Sequence, residues 1–238
     1  MDRFSRPQGS IVERVNSTVQ PFMAQVYGWM TCGLLLTAFV AWYASRTPEL
    51  MQFICSSQLI FFSLMIAQLV LVFVISSMIG HISGSVATSL FMLYSSLTGL
   101  VLASVFIVYT ASSIASTFLV TAGMFGAMTL YGYTTQRDLS TVGNLLLMAL
   151  IGILLASLVN VWIKSSALMW AVTYVGVLVF VGLTAYDTKK LKNMGAELSL
   201  ENKEQFRKCS IVGALSLYLD FINLFLVLLR IFGHRRSS

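Results

Sequence analysis

The sequence predicts an all-α membrane protein: a bundle of seven transmembrane helices. Three observations predict it. The chain is 57% hydrophobic and only 10% charged, with a mean hydropathy of +0.83, whereas soluble domains carry about 25% charged residues. Apolar stretches near the roughly 20 residues that cross a hydrocarbon core of about 30 Å recur seven times. Those stretches lack the alternating dyad pattern of a membrane barrel, so helices are the structure that satisfies their backbone in lipid.

The first 21 residues are polar, with Arg3, Arg6 and Arg14, and read as an N-terminal tail. The spans then fall near Phe22–Ala44, Leu59–Ile79, Val86–Tyr109, Ser113–Tyr133, Val142–Ile163, Leu168–Asp187 and Ser210–Phe232. Residues 22–233 form one transmembrane domain, and 234–238 a short basic tail. Pro7, Pro21 and Pro48 all lie outside the apolar runs, and Pro21 suits the first turn of the first helix. The first apolar run is too long for a signal-peptide core and lacks a clear small-residue cleavage site, so it reads as an anchor.

Lysine and arginine set the orientation. One side of a seven-span chain collects the tail arginines, Arg137, Lys189, Lys190, Lys192, Lys203, Arg207 and Lys208, and the other Arg46, Lys164, Arg235 and Arg236. Ten against four places the N-terminus in the cytoplasm and the C-terminus outside. A re-entrant last helix would instead return the tail to the cytoplasm. The net charge of +6 arises in these short connections, a pattern of membrane orientation rather than nucleic-acid binding. The implied surroundings are a lipid bilayer.

Little in the chain points to enzyme chemistry or to a tightly bound cofactor. Cys32, Cys55 and Cys209 give no disulfide framework, since only Cys55 falls in an outer connection. His81 and His234 read as solvated loop and tail residues. No CxxC, HExxH, GxSxG or phosphate loop occurs, and no internal repeat supports a transporter. In the fourth span Ala122, Gly123, Gly126 and Ala127 have the small-xxx-small spacing of close helix packing. Thr117, Thr121, Thr129, Tyr131, Tyr133, Thr134 and Thr135 either line a polar path or bond back to their own helix.

Two aspartates stand out. Asp187 lies in VFVGLTAYDTKK and Asp220 in ALSLYLDFINLFLVLL, and the chain has only nine acidic residues. A charged side chain at a helix centre costs roughly 2.5–3.5 kcal/mol even on insertion scales, so such residues mark functional sites. Asp187 is followed by Thr188, Lys189 and Lys190 and has a surface reading as well. Asp220 has Ser216, Leu217, Asn223 and Leu224 at its helical neighbour positions. Lys208 is about 18 Å away along a straight helix. The partner of Asp220 must come from another helix or from water.

At these segments the chain resembles a known family. GLTAYDTKKLK at 182–192 and ALSLYLDFINLFLVLLRIF at 214–232 are similar to the last two helices of the Bax inhibitor-1 family, the transmembrane Bax-inhibitor-motif proteins. TAGMFGAMTLYGYTTQRDLS at 121–140 resembles that family's fourth helix and following loop. The likeness runs from about Gln25 to Phe232 and is to the bacterial inner-membrane branch. It implies seven helices with the seventh at the centre, and a pH-dependent leak of calcium ions. Asp187 and Asp220 match the family's paired aspartates, which lie close together and act there as a proton-sensing pair; they are also the candidate ligands for calcium. Adjacent carboxylates cannot both ionise cheaply, so they share a proton. Two carboxylates also suit calcium, though tight binding needs more ligands.

The chain departs from the family in one place. Characterised members carry an arginine near the inner end of the second helix that latches onto the pair. Here that region reads Ile75-Ser76-Ser77-Met78-Ile79-Gly80, and Gln68 is the helix's strongly polar interior group. The resulting expectation is a calcium-permeable, proton-gated pathway with calcium ions and protons as ligands. Two alternatives stand beside it. One is a non-conducting regulator that binds other membrane proteins. The other is an intramembrane aspartyl protease, although Tyr218-Leu219-Asp220 lacks the GxGD pattern of that class.

Overall fold

The computed structural model describes residues 8–199 and 202–236, and within them the side chains of all but 8–17, 53–56 and 58. Among the described residues nine helices follow one another: α1 (Gln8–Arg46), α2 (Pro48–Ser56), α3 (Gln58–Ser77), α4 (Gly84–Leu102), α5 (Val105–Val108), α6 (Ala111–Thr134), α7 (Ser140–Ile163), α8 (Ser166–Glu197) and α9 (Lys203–Phe232). Seven segments are long and apolar enough to cross a membrane. They are Thr18–Arg46, Leu59–Ser77, Gly84–Val108, Ala111–Thr134, Ser140–Ile163, Ser166–Glu197 and Lys203–Phe232. Each corresponds to one expected span, and the fold is an all-α seven-span membrane protein.

The ends of the helices move, for a common reason. Hydropathy marks where apolar sequence stops, whereas a helix stops where its backbone finds a cap or a breaker. No proline interrupts residues 8–20, so α1 begins inside the stretch read as a tail and Pro21 sits within the helix rather than in its first turn. Arg3, Arg6 and Pro7 lie outside the described residues. Pro48 occupies the first turn of α2, a short helix in a connection that the hydropathy left unassigned. α8 does not stop at Asp187 but runs ten residues further to Glu197. α9 starts at Lys203, not Ser210, because the Asn202 carboxamide accepts the Gln205 N–H at 3.0 Å.

α9 is the axis of the bundle. The most apolar stretch of α9 is 67% buried, against 0% for α7. α9 packs on α1, α4, α6 and α8 and touches α3, while α7 stands outside against α8. Ile211, Ala214, Leu215, Leu217 and Tyr218 of α9 are buried with Phe22 and Val26 of α1 and Phe91 of α4. The Tyr218 hydroxyl lies 2.6 Å from Thr37 Oγ1, which donates in turn to the Ser95 carbonyl at 2.8 Å, so one polar chain joins α9, α1 and α4.

The last helix crosses completely rather than turning back. α9 is unbroken over 30 residues. The segment beyond it pairs with the connection before α6: Thr110 N donates to His234 O at 3.1 Å and Arg236 N to Val108 O at 2.9 Å. His234 N also donates to Ser113 Oγ at 2.8 Å. The tail therefore sits at the end of the bundle opposite the start of α9.

Of the small residues singled out in α6, Ala122 packs against the main core, but the two glycines do not make a close contact. A Cβ added at Gly123 or Gly126 would meet nothing within 4 Å. The buried face of α6 instead runs through Ser113, Thr117, Thr121, Phe125 and Gly132. At Gly132 a Cβ would press on the Ala185 backbone carbonyl of α8. Gly132→Ala should lower unfolding stability by about 1–3 kcal/mol, the usual cost of overpacking. Gly123→Ala and Gly126→Ala should change it by less than about 0.5 kcal/mol. Denaturant titration of the three variants in detergent decides; equal losses at all three positions would contradict the α6–α8 contact.

Candidate functional site

The hairpin of α8 and α9 brings the two aspartates together in the interior. Asp220 is only 5% exposed, and its Oδ2 has no hydrogen-bond partner among the described residues. Asp187 is half-buried and near enough that its charge acts on Asp220. No hydrogen bond among the described residues joins the two carboxyl groups, so the pair is coupled through space. Lys190, one turn beyond Asp187 on the same helix, is the cation that acts on it. Asp187 lies about 15 Å from the end of its helix, so the surface reading from its neighbouring lysines gives way to a half-buried position, with those lysines on the segment of α8 that extends beyond the apolar sequence.

Hydroxyl groups gather near this level. Tyr27 of α1 neighbours Thr129 of α6 and Thr188 of α8. Their three oxygens are buried without a well-aligned partner among the described residues. Of the α6 hydroxyls, Thr121 bonds back to the Thr117 carbonyl at 2.8 Å and Thr134 to that of Leu130 at 2.7 Å. Thr117 and Thr129 do not bond back. The back-bonding reading of that stripe thus holds at Thr121 and Thr134. Sequence reasoning passed over Tyr27 and Thr188, and the adjacency of Thr188 to Asp187 was the available signal.

The two ends of the bundle differ in character. At the end where α8 protrudes, a cleft of about 310 Å³ is lined by Asp138, Tyr186, Lys189, Lys190, Asn193 and Glu197 among others. Asp138 accepts from Ser140 N at 2.9 Å and from Ser140 Oγ, and these bonds hold its carboxyl below the usual carboxylate range. Lys189 Nζ donates to the Thr135 carbonyl and Lys192 Nζ to that of Tyr133 at 2.8 Å. The two lysines thereby neutralise the C-terminal end of α6. Toward the other end the bundle is dry. A cavity of about 90 Å³ is lined by Leu34, Phe106, Phe118, Phe221, Ile222 and Phe225 among others. Phe118 and Phe125 pack edge-on against Phe221, next to Asp220, with ring centroids at 5.4 and 5.5 Å.

The missing latch has a structural counterpart. Gln68 of α3 donates to the Leu97 carbonyl of α4 at 3.3 Å, and Ile75 is fully buried in the main core. The second span is therefore held by packing on α4. Among the described residues no three His, Cys, Asp or Glu side chains gather as metal ligands. Any calcium at the pair would need hydroxyls, carbonyls or water to complete its shell. His81 and His234 are exposed, Cys32 and Cys209 are free thiols, and the side chain of Cys55 lies outside those described.

An all-helical bundle wrapped around a central span, with a coupled carboxylate pair inside it, defines a multi-pass membrane protein with an intramembrane acidic site. The chain belongs to the family described as "Inhibitor of apoptosis-promoting Bax1", whose model matches residues 19–237. It is 66% identical over 236 residues to "Inner membrane protein YbhL" of Escherichia coli K12, covering 99% of this chain and 100% of that one. It is also 44% identical over 217 residues to uncharacterised proteins of Borreliella burgdorferi and Deinococcus radiodurans. In each case 91% of this chain is covered, with 93% and 92% of the relatives.

Proposed function

We propose that this protein is a proton-gated leak pathway for calcium in the bacterial inner membrane, and that Asp187 and Asp220 are its sensor and ion ligands. The name of the Escherichia coli relative supports the location. The observation that carries the reading is a buried carboxylate, Asp220, with a second, Asp187, near enough for its charge to act on it; Tyr186, next to Asp187, lines the polar cleft and Phe221, next to Asp220, the apolar cavity. A conformation with the phenylalanines packed together there is closed.

The chemistry follows from the charges. With one shared proton the pair carries a single negative charge, and α8 and α9 stay packed through it. As pH rises the proton leaves, two negative charges face each other in a poorly solvated interior, and repulsion loosens the hairpin. The bared carboxylates then offer hard oxygen ligands to calcium. With no arginine from α3 at the pair, the proton and Lys190 are the charges that balance it. Asp138 stays ionised throughout and adds negative potential at the mouth of the cleft.

In liposomes containing the purified protein, calcium flux should rise as the pH is raised from about 6 to about 8 and the pair gives up its shared proton. Asp187→Asn and Asp220→Asn should each make the flux nearly flat over that range. Glu49→Gln, an exposed carboxylate on α2, should leave the parent's profile unchanged. Retention of the parent's pH profile by both aspartate variants would show that the pair is not the sensor.

The reading also fixes a direction. The protruding, lysine-rich ends of α8 and α9 belong in the cytoplasm and the tail after α9 in the periplasm, following the excess of basic residues. A reporter placed near Lys203 should be active only in the cytoplasm, and one fused after Ser238 only outside it. The reverse pattern would invert the assignment of the polar cleft.

A further inference from the structure

A second polar site lies at the opposite end of the bundle from the cleft beside Asp187. Arg230 stands in the last turn of α9, exposed, in a cleft of about 260 Å³ between α7, α8 and α9. Ser157, Asn160, Val161, Met169 and Val172 line the rest of it. One guanidinium nitrogen, Nη1, donates to Thr173 Oγ1 at 3.3 Å, and Thr173 uses its own proton on the Met169 carbonyl at 2.8 Å. A guanidinium has five N–H donors in a planar fork. One of them meets Thr173, and among the described residues no carboxylate pairs with the group. The acidic residue at this end of the described chain is Glu49 of α2, which packs with α1 and α3, away from α7 and α8.

The surroundings place the cleft at a membrane–water boundary. Trp162 is 73% exposed just before the end of α7, and Trp170 stacks on Tyr174 at 5.7 Å on α8. Tryptophan and tyrosine gather at the level of lipid headgroups. An arginine at that depth, beside lipid-facing apolar residues and with its fork unfilled, matches the planar two-point geometry of a phosphate. We propose that the α7–α8–α9 cleft binds a phosphate group, with Arg230 as its charged ligand and the Ser157 hydroxyl and the Asn160 NH₂ as further polar groups. A phospholipid headgroup and free inorganic phosphate share this chemistry.

The test uses the full-length protein purified in a non-ionic detergent. Phosphatidylglycerol is titrated in and the bound species are counted by native mass spectrometry, with inorganic phosphate as a separate arm. The parent should hold one phosphatidylglycerol in preference to an uncharged diacylglycerol. Arg230→Gln should weaken it by about tenfold or more, as expected for losing a bidentate charged contact. Ser157→Leu, which fills the cleft but keeps the guanidinium, should weaken it as well. If inorganic phosphate binds in place of the lipid and shows the same dependence on both variants, the phosphate site stands and its source is the soluble ion. If either variant binds phosphatidylglycerol and phosphate as the parent does, or the parent binds neither, the cleft is not a phosphate site.

Discussion

The constraint on which the bundle depends is a carboxyl group at its centre. Asp220 sits on the most buried helix, with one oxygen unpartnered among the described residues. An ion there without compensation works against the packing that surrounds it, since a buried charge is tolerated only when paired, neutralised or hydrated. The structure brings Asp187 near enough for its charge to act on Asp220. The α8–α9 hairpin is the scaffold of both residues. In the proposed function the two groups hold one proton jointly, which would make protonation and helix packing one equilibrium.

The remainder of the architecture supports that hairpin unevenly. On the side of α1 and α4 the hold is tight: Tyr218, Thr37 and the Ser95 carbonyl form a buried polar chain, with Phe91 and Tyr94 edge-on to Tyr218 at 5.7 Å. On the side of α7 it is loose, because α7 packs on α8 alone and shows most of its surface to lipid. α8 itself is held between α9, α6, α7 and α1. The ends differ too. A polar cleft lined by Asp138, Lys189 and Lys190 lies at one end, while phenylalanines pack together in the other half.

Much of this was legible in the residues. Seven apolar runs marked the spans, and two misplaced aspartates marked the two helices that pack as the α8–α9 hairpin, because hydrophobicity and intramembrane charge are strong one-dimensional signals. What was hidden depends on the third dimension. Gly123 and Gly126 have the right spacing for close packing but face away, and Gly132, the contact with Ala185, has no spacing motif to announce it. The continuation of α8 to Glu197 and the start of α9 at Lys203 lie in polar sequence, which hydropathy cannot distinguish from loop. Tyr27 reaches the Thr129 and Thr188 hydroxyls from a distant helix, and nothing near it in sequence forecasts that meeting. The lack of an arginine in the second span was visible, but the burial of Ile75 in the main core was not.

The central claim is that Asp187 and Asp220 hold one proton between them. Infrared difference spectroscopy of the parent protein, titrated in lipid, reads the carbonyl stretch of a protonated carboxyl directly. The account predicts one such band that disappears cooperatively on raising the pH and is shifted or abolished by Asp187→Asn and by Asp220→Asn alike. Two independent bands, each removed by only one of the substitutions, would mean that the aspartates titrate separately and would contradict the account.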